Sequence, residues 1–111
     1  WFSISKEVQL ARIESRRKNP LKQWKLSPLD GKAQELWDSY TRYKEVMFSR
    51  THTSFSPWII VKANNKRKAR LESLRYLLST QDYEGRNEAQ LSLIPDPNIV
   101  ERFHRAAMKV D

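Results

Sequence analysis

Pro57-Trp58-Ile59-Ile60-Val61-Lys62-Ala63-Asn64-Asn65-Lys66-Arg67-Lys68-Ala69-Arg70-Leu71 decides the fold class. Its first six residues form a continuous apolar, β-branched run with no polar alternation. Such a run suits a strand covered on both faces, the habit of parallel sheets. Asn64 and Asn65 offer helix caps. Lys66 to Ser79 then reads as a helix, expected to pack through Leu71, Leu74, Leu77 and Leu78. Strand, short polar loop and helix make half of a βαβ unit, so an α/β fold with a parallel sheet is expected. Trp1 to Ile4 reads as the end of a second buried strand, with Ser3 or Ser5 available to cap the next helix. Two strand segments alone do not make a stable sheet, so most of the sheet is expected upstream of Trp1.

Between the two strands the chain reads as helical. Lys6 to Lys18 holds strong helix formers and a thin apolar stripe through Val8, Leu10, Ala11 and Ile13. Arg12 and Arg16 lie one turn apart on one face, and Asn19-Pro20 ends the helix because a residue before proline avoids helical angles. Ser27-Pro28-Leu29-Asp30 reads as a helix start, with Ser27 as N-cap, Pro28 in the first helical position and Asp30 completing a capping box. Ala33, Leu36, Trp37, Tyr40, Lys44, Met47 and Phe48 then match helical spacing from Ala33 to Ser49. Thr51 to Ser56 is a polar connector. Residues 1–83 therefore group as helices plus a last strand and helix, and 84–111 as a carboxyl-terminal tail. Glu84 to Asn98 reads as surface, and Ile99 to Val110 as a short last helix through Val100, Phe103 and Ala107.

Composition narrows the partners. Of 111 residues, 39% are hydrophobic and 11% aromatic, which is the make-up of a folded chain. Lys and Arg number 21 against 13 Asp and Glu, a net charge of +8, so a polyanion is the expected partner. Nucleic acid, an anionic membrane surface and inorganic polyphosphate all satisfy that charge. With no cysteine, disulfides, thiolate zinc sites and cysteine nucleophiles are excluded, and a reducing cytoplasm is the default expectation. No apolar run is long enough to span a membrane. The two glycines, Gly31 and Gly85, build neither a phosphate loop nor a dinucleotide fingerprint. His52 and His104 lack a second ligand at metal spacing, so no metal site is assigned. No general base with a partner stands out, so these residues alone are not expected to turn over.

Positive charge concentrates in Arg12, Arg16, Arg17, Lys18, Lys22 and Lys25. Like charges one helical turn apart repel by roughly 0.2–0.5 kcal/mol per pair, a cost that a counter-anion converts into binding. Arginine suits phosphate through its planar fork and lysine through a mobile point charge. A solvated basic face explains the same pattern. A second cluster, Lys66-Arg67-Lys68-Ala69-Arg70, opens the helix after the buried strand, where α/β sheets bind ligands and helix amides favour anions. Arg67 and Arg75 read as solubilising surface. Asp30 serves either as a cap or as a carboxylate that positions Mg²⁺ or the arginines. Trp24 and Trp58 read as packing residues.

Pro20-Leu21-Lys22-Gln23-Trp24-Lys25-Leu26-Ser27-Pro28-Leu29-Asp30 resembles the lid motif of the polyphosphate kinase 2 family. Trp1 to Ser5 resembles the strand before that lid, and Gln9, Arg12 and Arg16 fit its helix. Pro57-Trp58, Ile60 to Lys62 and Asn64 to Leu71 resemble the family's last strand and the helix after it. Tyr83 and Pro95-Asp96-Pro97 resemble the tail of the subgroup that phosphorylates nucleoside diphosphates. The resemblance implies the carboxyl-terminal part of a P-loop kinase-like, three-layer parallel-sheet fold with a helical lid and a missing amino-terminal half. It implies phosphate transfer between inorganic polyphosphate and ADP or GDP with Mg²⁺, in a cytoplasmic homo-oligomer without nucleic-acid or membrane partners. Carried across, Arg16 and Asp30 are catalytic, Arg12, Lys22 and Lys25 bind polyphosphate, and Lys66 and Arg70 bind nucleotide or phosphate. Leu10 and Ala11 stand where relatives often carry arginine, Asn65 where aspartate is usual and Glu72 where asparagine is usual. Nucleotide choice is where those departures would tell. The alternatives are a small basic nucleic-acid-binding module, which lacks any recognised reader motif, and a polyphosphate binder without catalysis.

Overall fold

The computed structural model describes residues 1–87 and 93–105. A short strand β1 (Phe2–Ser3) leads into α1 (Lys6–Lys18), a 3₁₀ turn (Gln23–Lys25), α2 (Asp30–Glu35) and α3 (Trp37–Thr51). Strand β2 (Ile59–Lys62), α4 (Lys66–Ser79) and β3 (Val100–Arg102) complete the order. Local signals set the ends of the two basic helices. Ser5 caps α1 by accepting the Val8 amide at 3.3 Å, and Asn65 caps α4 by accepting the Lys68 amide at 3.1 Å.

The sheet has the order β1-β2-β3. β1 and β2 are parallel, with Phe2 opposite Val61 and Ser3 opposite Lys62, as the unbroken apolar run implies. β3 runs antiparallel to β2, with Val61 opposite Val100 and Ile59 opposite Arg102. The sheet is therefore mixed, and the tail supplies its third strand. Val100 and Phe103 consequently belong to sheet and core, not to a helix beginning at Ile99, and Ala107 lies outside the described residues. The cause is a turn at Pro95-Asp96-Pro97: the Asp96 carbonyl accepts the Ile99 and Val100 amides at 3.0 and 2.9 Å, turning the chain onto the free edge of β2. That turn is tied down by Glu72, whose Oε2 accepts the Asp96 amide at 2.8 Å while Oε1 accepts from Arg75 at 2.6 Å.

Alternation along β2 gives each face its own helix. Ile60 packs with Phe48 of α3 and with Phe103, flanked by Met47 and Trp58. Val61 packs with Ala63 and with Ala69 of α4, flanked by Ile4, Ile99 and Val100. Around Phe48 the rings of Trp58, Phe103 and Trp1 sit 5.0, 5.3 and 5.6 Å away, centroid to centroid. Trp58 thus packs as its sequence setting suggests.

Three expectations are corrected. The leucine stripe of α4 does not meet the sheet: Leu71, Leu74 and Leu77 are 49%, 58% and 56% exposed, and the helix buries Ala69 and Glu72 instead. Close approach requires a small residue, and the Glu72 carboxylate is satisfied by its two partners, so these two take the inner face. The helix expected from Ala33 to Ser49 is interrupted at Leu36 (φ −96°, ψ 13°), leaving α2 and α3 as separate segments. α2 itself begins at Asp30, so Pro28 lies in the preceding turn. The reciprocal bonds of a Ser27 cap are nonetheless made: Asp30 Oδ2 accepts the Ser27 amide at 3.3 Å and Ser27 Oγ accepts the Leu29 amide at 3.2 Å.

Candidate phosphate-binding site

Two parallel neighbouring strands end side by side, so the chain reverses into α1 and into α4 at the same edge of the molecule. Ser5 follows β1 and Asn64 follows β2. The Ser5 amide donates to Asn64 Oδ1 at 2.9 Å. From the second turn of α1, Arg12 Nη2 donates to the carbonyls of Ala63 and Asn64, each at 2.9 Å. These bonds occupy one nitrogen and leave the rest of the guanidinium fork for an anion.

Lys66, first residue of α4, shows what surrounds this corner. Its ammonium is held below the usual lysine pKa, first by the Arg12 charge, then by partial desolvation, and then by Lys25, Arg70 and Lys22. The charges of Arg12, Lys22, Lys25 and Arg70, from α1, the motif loop and α4 and all singled out from sequence, thus act on one ammonium, that of Lys66.

Arg16 and Asp30 are brought to each other. Arg16 Nη1 lies 3.5 Å from Asp30 Oδ1, and the Asp30 side chain is 12% exposed. Asp30 thus joins α1 to the end of the motif loop, holding the Ser27 amide with its other oxygen. The loop is fastened to α1 at further points: Lys22 Nζ donates to Ser15 Oγ at 3.1 Å and Gln23 Nε2 to the Arg17 carbonyl at 3.1 Å. Gln34 ties α2 to α1 as well, bonding Gln9 at 2.7 Å and the Lys6 carbonyl at 3.0 Å.

Trp24 departs from its expected packing role. The residue is 78% exposed, its ring held by an Nε1 bond to the Leu21 carbonyl at 3.0 Å, with the Lys25 ammonium 5.3 Å from the ring centroid. Glu72 is also more than a departure from a family pattern, since it is buried between α4 and the tail. Asn64 is the residue whose role is least visible in sequence. An Asn-Asn pair before a helix signals a cap, and only the parallel register shows that the first Asn serves the other helix.

The chemistry of the donors limits metal binding. Asp30 Oδ1 faces Arg16 and Oδ2 holds the Ser27 amide. Among the described residues, no three His, Cys, Asp or Glu side chains are grouped to hold a metal ion. These residues do not form a Mg²⁺ cage. A separate cavity of 390 Å³ lies between β1 and the α2–α3 segment, lined chiefly by Trp1, Phe2, Leu29, Leu36, Trp37 and Tyr40. Lys32 and Lys44 also line it, beside its mostly apolar wall. Among the described residues, no helix is long and apolar enough to cross a membrane.

Cations beside strand ends and helix starts are an arrangement with which α/β folds hold anions. Residues 1–89 match the family described as Polyphosphate kinase 2 (PPK2), and the chain belongs to that family. It is 48% identical over 109 residues to the NDP-polyphosphate phosphotransferase 2 of Ruegeria pomeroyi, covering 98% of this chain and 31% of the relative. It is 45% identical over 100 residues to a GDP-polyphosphate phosphotransferase of Pseudomonas aeruginosa, covering 90% and 28%. It is 41% identical over 96 residues to the ADP-polyphosphate phosphotransferase 1 of Rhizobium meliloti, covering 86% and 32%. The chain thus spans roughly a third of the length of the curated relatives it matches.

Proposed function

We propose that this chain is the lid-bearing, carboxyl-terminal part of a P-loop kinase-like, three-layer enzyme that moves phosphate between inorganic polyphosphate and a nucleoside diphosphate, ADP or GDP. The observation that carries the proposal is that Arg12 is tied to the loop after β2 while its charge, with those of Lys22, Lys25 and Arg70, acts on the Lys66 ammonium at the start of α4. A chain of phosphates offers one negative charge after another along a flexible backbone, and so relieves repulsion among cations spread over three elements. The names of the relatives carry the same substrate pair.

Phosphoryl transfer depends on positioning and charge neutralisation far more than on covalent chemistry. In this scheme Lys22, Lys25 and Arg12 hold polyphosphate, and Lys66 and Arg70 face the phosphates nearest α4. Arg16, steadied by Asp30, neutralises charge on the group in transit. Mg²⁺ held by the substrate phosphates would supply further charge neutralisation beside these side chains. The nucleotide-phosphate loop is supplied by a part of the enzyme beyond these residues, so the chain alone binds polyphosphate without turning over. Assembly as a homo-oligomer in the cytoplasm belongs to the same proposal.

The test is polyphosphate-dependent conversion of ADP and GDP to triphosphates by the full-length enzyme with Mg²⁺. Triphosphate formation supports the proposal, and its absence with both nucleotides removes the enzymatic claim. Competition between polyphosphate and duplex DNA for the chain decides the nucleic-acid alternative. Polyphosphate should displace DNA well below matched phosphate concentration.

A further inference from the structure

Two helices carrying like charge are held against each other by one polar residue in the loop between β2 and α4. Asn64 is gripped twice. Its side-chain Oδ1 accepts the amide of Ser5, 59 residues earlier, and its carbonyl accepts from Arg12, which also takes the carbonyl of Ala63. Ser5 is the cap of α1, and Asn65, next in sequence, is the cap of α4. The bonds at Asn64 therefore couple the start of α1 to the start of α4. They act beside Lys66, whose ammonium is held below its usual pKa by the Arg12 charge first.

We propose that Asn64 is a positioning residue for the anion site, holding the α1 cations at a fixed distance from those of α4 before any ligand arrives. The proposal rests on the polyphosphate function above. Without the side-chain bond to Ser5, the start of α1 keeps only the Arg12 bonds to backbone carbonyls, and an incoming anion must then fix the two helix starts against each other. That reorganisation subtracts from affinity. It does not change how many cations the anion finally touches.

Positioning and contact residues therefore leave different marks. A linear polyanion releases counterions in proportion to the charges neutralised, so losing a contact lowers the salt slope by about one. Losing a positioning residue weakens binding at an unchanged slope. Removing a single hydrogen bond of this kind weakens binding by about 3–10-fold.

The experiment titrates the chain with inorganic polyphosphate of defined length at several salt concentrations. It compares wild type, Asn64→Ala and Lys66→Ala, with thermal melts and amide exchange at Ser5 for each. Asn64→Ala is expected to bind about 3–10-fold more weakly with the wild-type slope and to lose protection at the Ser5 amide. Lys66→Ala is expected to lower the slope by about one. Asn64→Ser, whose hydroxyl stops short of Ser5, serves if the alanine variant does not fold and carries the same expectation. A folded Asn64 variant with wild-type affinity, or with a reduced slope, overturns the proposal while leaving polyphosphate binding intact. A wild-type chain that does not bind polyphosphate overturns the function and this inference with it.

Discussion

The two ends of β2 are built from opposite chemistry. At the amino end, Trp58 joins Phe48 and Phe103 in a cluster where Phe48 is fully buried, and the contacts are ring against ring. At the carboxyl end, Ala63 and Asn64 meet α1 through hydrogen bonds, and the neighbouring side chains are cations that repel one another. One end is held together by ring contacts, and the other keeps like charges near one another. Four residues of strand separate them. Changes at the two ends should accordingly separate stability from binding.

The largest effect is expected at the aromatic end. Phe48→Ala should destabilise the chain by about 3–5 kcal/mol, measured by denaturant unfolding. Polyphosphate affinity of whatever remains folded should be nearly unchanged, and a matching loss of affinity would break the separation. One turn beyond Arg12 on α1, Arg16→Ala should cost no more than about 1 kcal/mol of stability, because its ion pair with Asp30 is partly exposed. In the full-length enzyme it should still lower turnover by about 10²–10³-fold, the range for losing one donor to developing charge. A stability loss without a turnover loss would make the pair a structural tie.

Titration sharpens the contrast. Lys66 should titrate below the usual lysine value in the free chain, chiefly because of Arg12, and rise when polyphosphate is bound. Proton uptake on binding at alkaline pH, read by calorimetry in buffers of different ionisation enthalpy, checks the sign. At the aromatic end His52 is held below its usual pKa of 6.5 by desolvation first, and then by Arg105, Arg102 and His104. Its Nδ1 accepts the Trp58 amide at 3.0 Å and its ring meets Phe103. The unfolded chain therefore binds the proton more readily. This contribution to stability is present above pH 6.5 and declines as pH falls through 6.5 towards the folded value. His52→Gln should flatten that decline in a pH series of thermal melts, the smallest of these effects.

How far the sequence was legible depends on the range of the interactions. α1 and α4 span the residues expected of them, Lys6–Lys18 and Lys66–Ser79, because caps and an Asn-Pro stop act within a few residues. The cations of the site were legible because charge type and spacing are local facts. The match to a family lid motif reinforced them. β3 was not legible, since Val100 gains its strand partner from a residue 39 positions away in the register Val61–Val100. The leucines of α4 show a second limit: periodicity locates an apolar stripe without saying what faces it. Nor did Leu36, a good helix former, announce the break between α2 and α3. Asn64 is the instructive case, for its side chain serves a helix that begins after the neighbouring strand.

Trp24 has an experimental consequence. Its indole stands in solvent on a loop tied to α1, its Nε1 engaged by Leu21, with the Lys25 ammonium lying over the ring. Indole emission responds to charge and water close to the ring. A polyanion that draws Lys25 towards itself changes both. The loop thus carries its own optical reporter, and a Trp24→Phe variant gives the blank against which that signal is read.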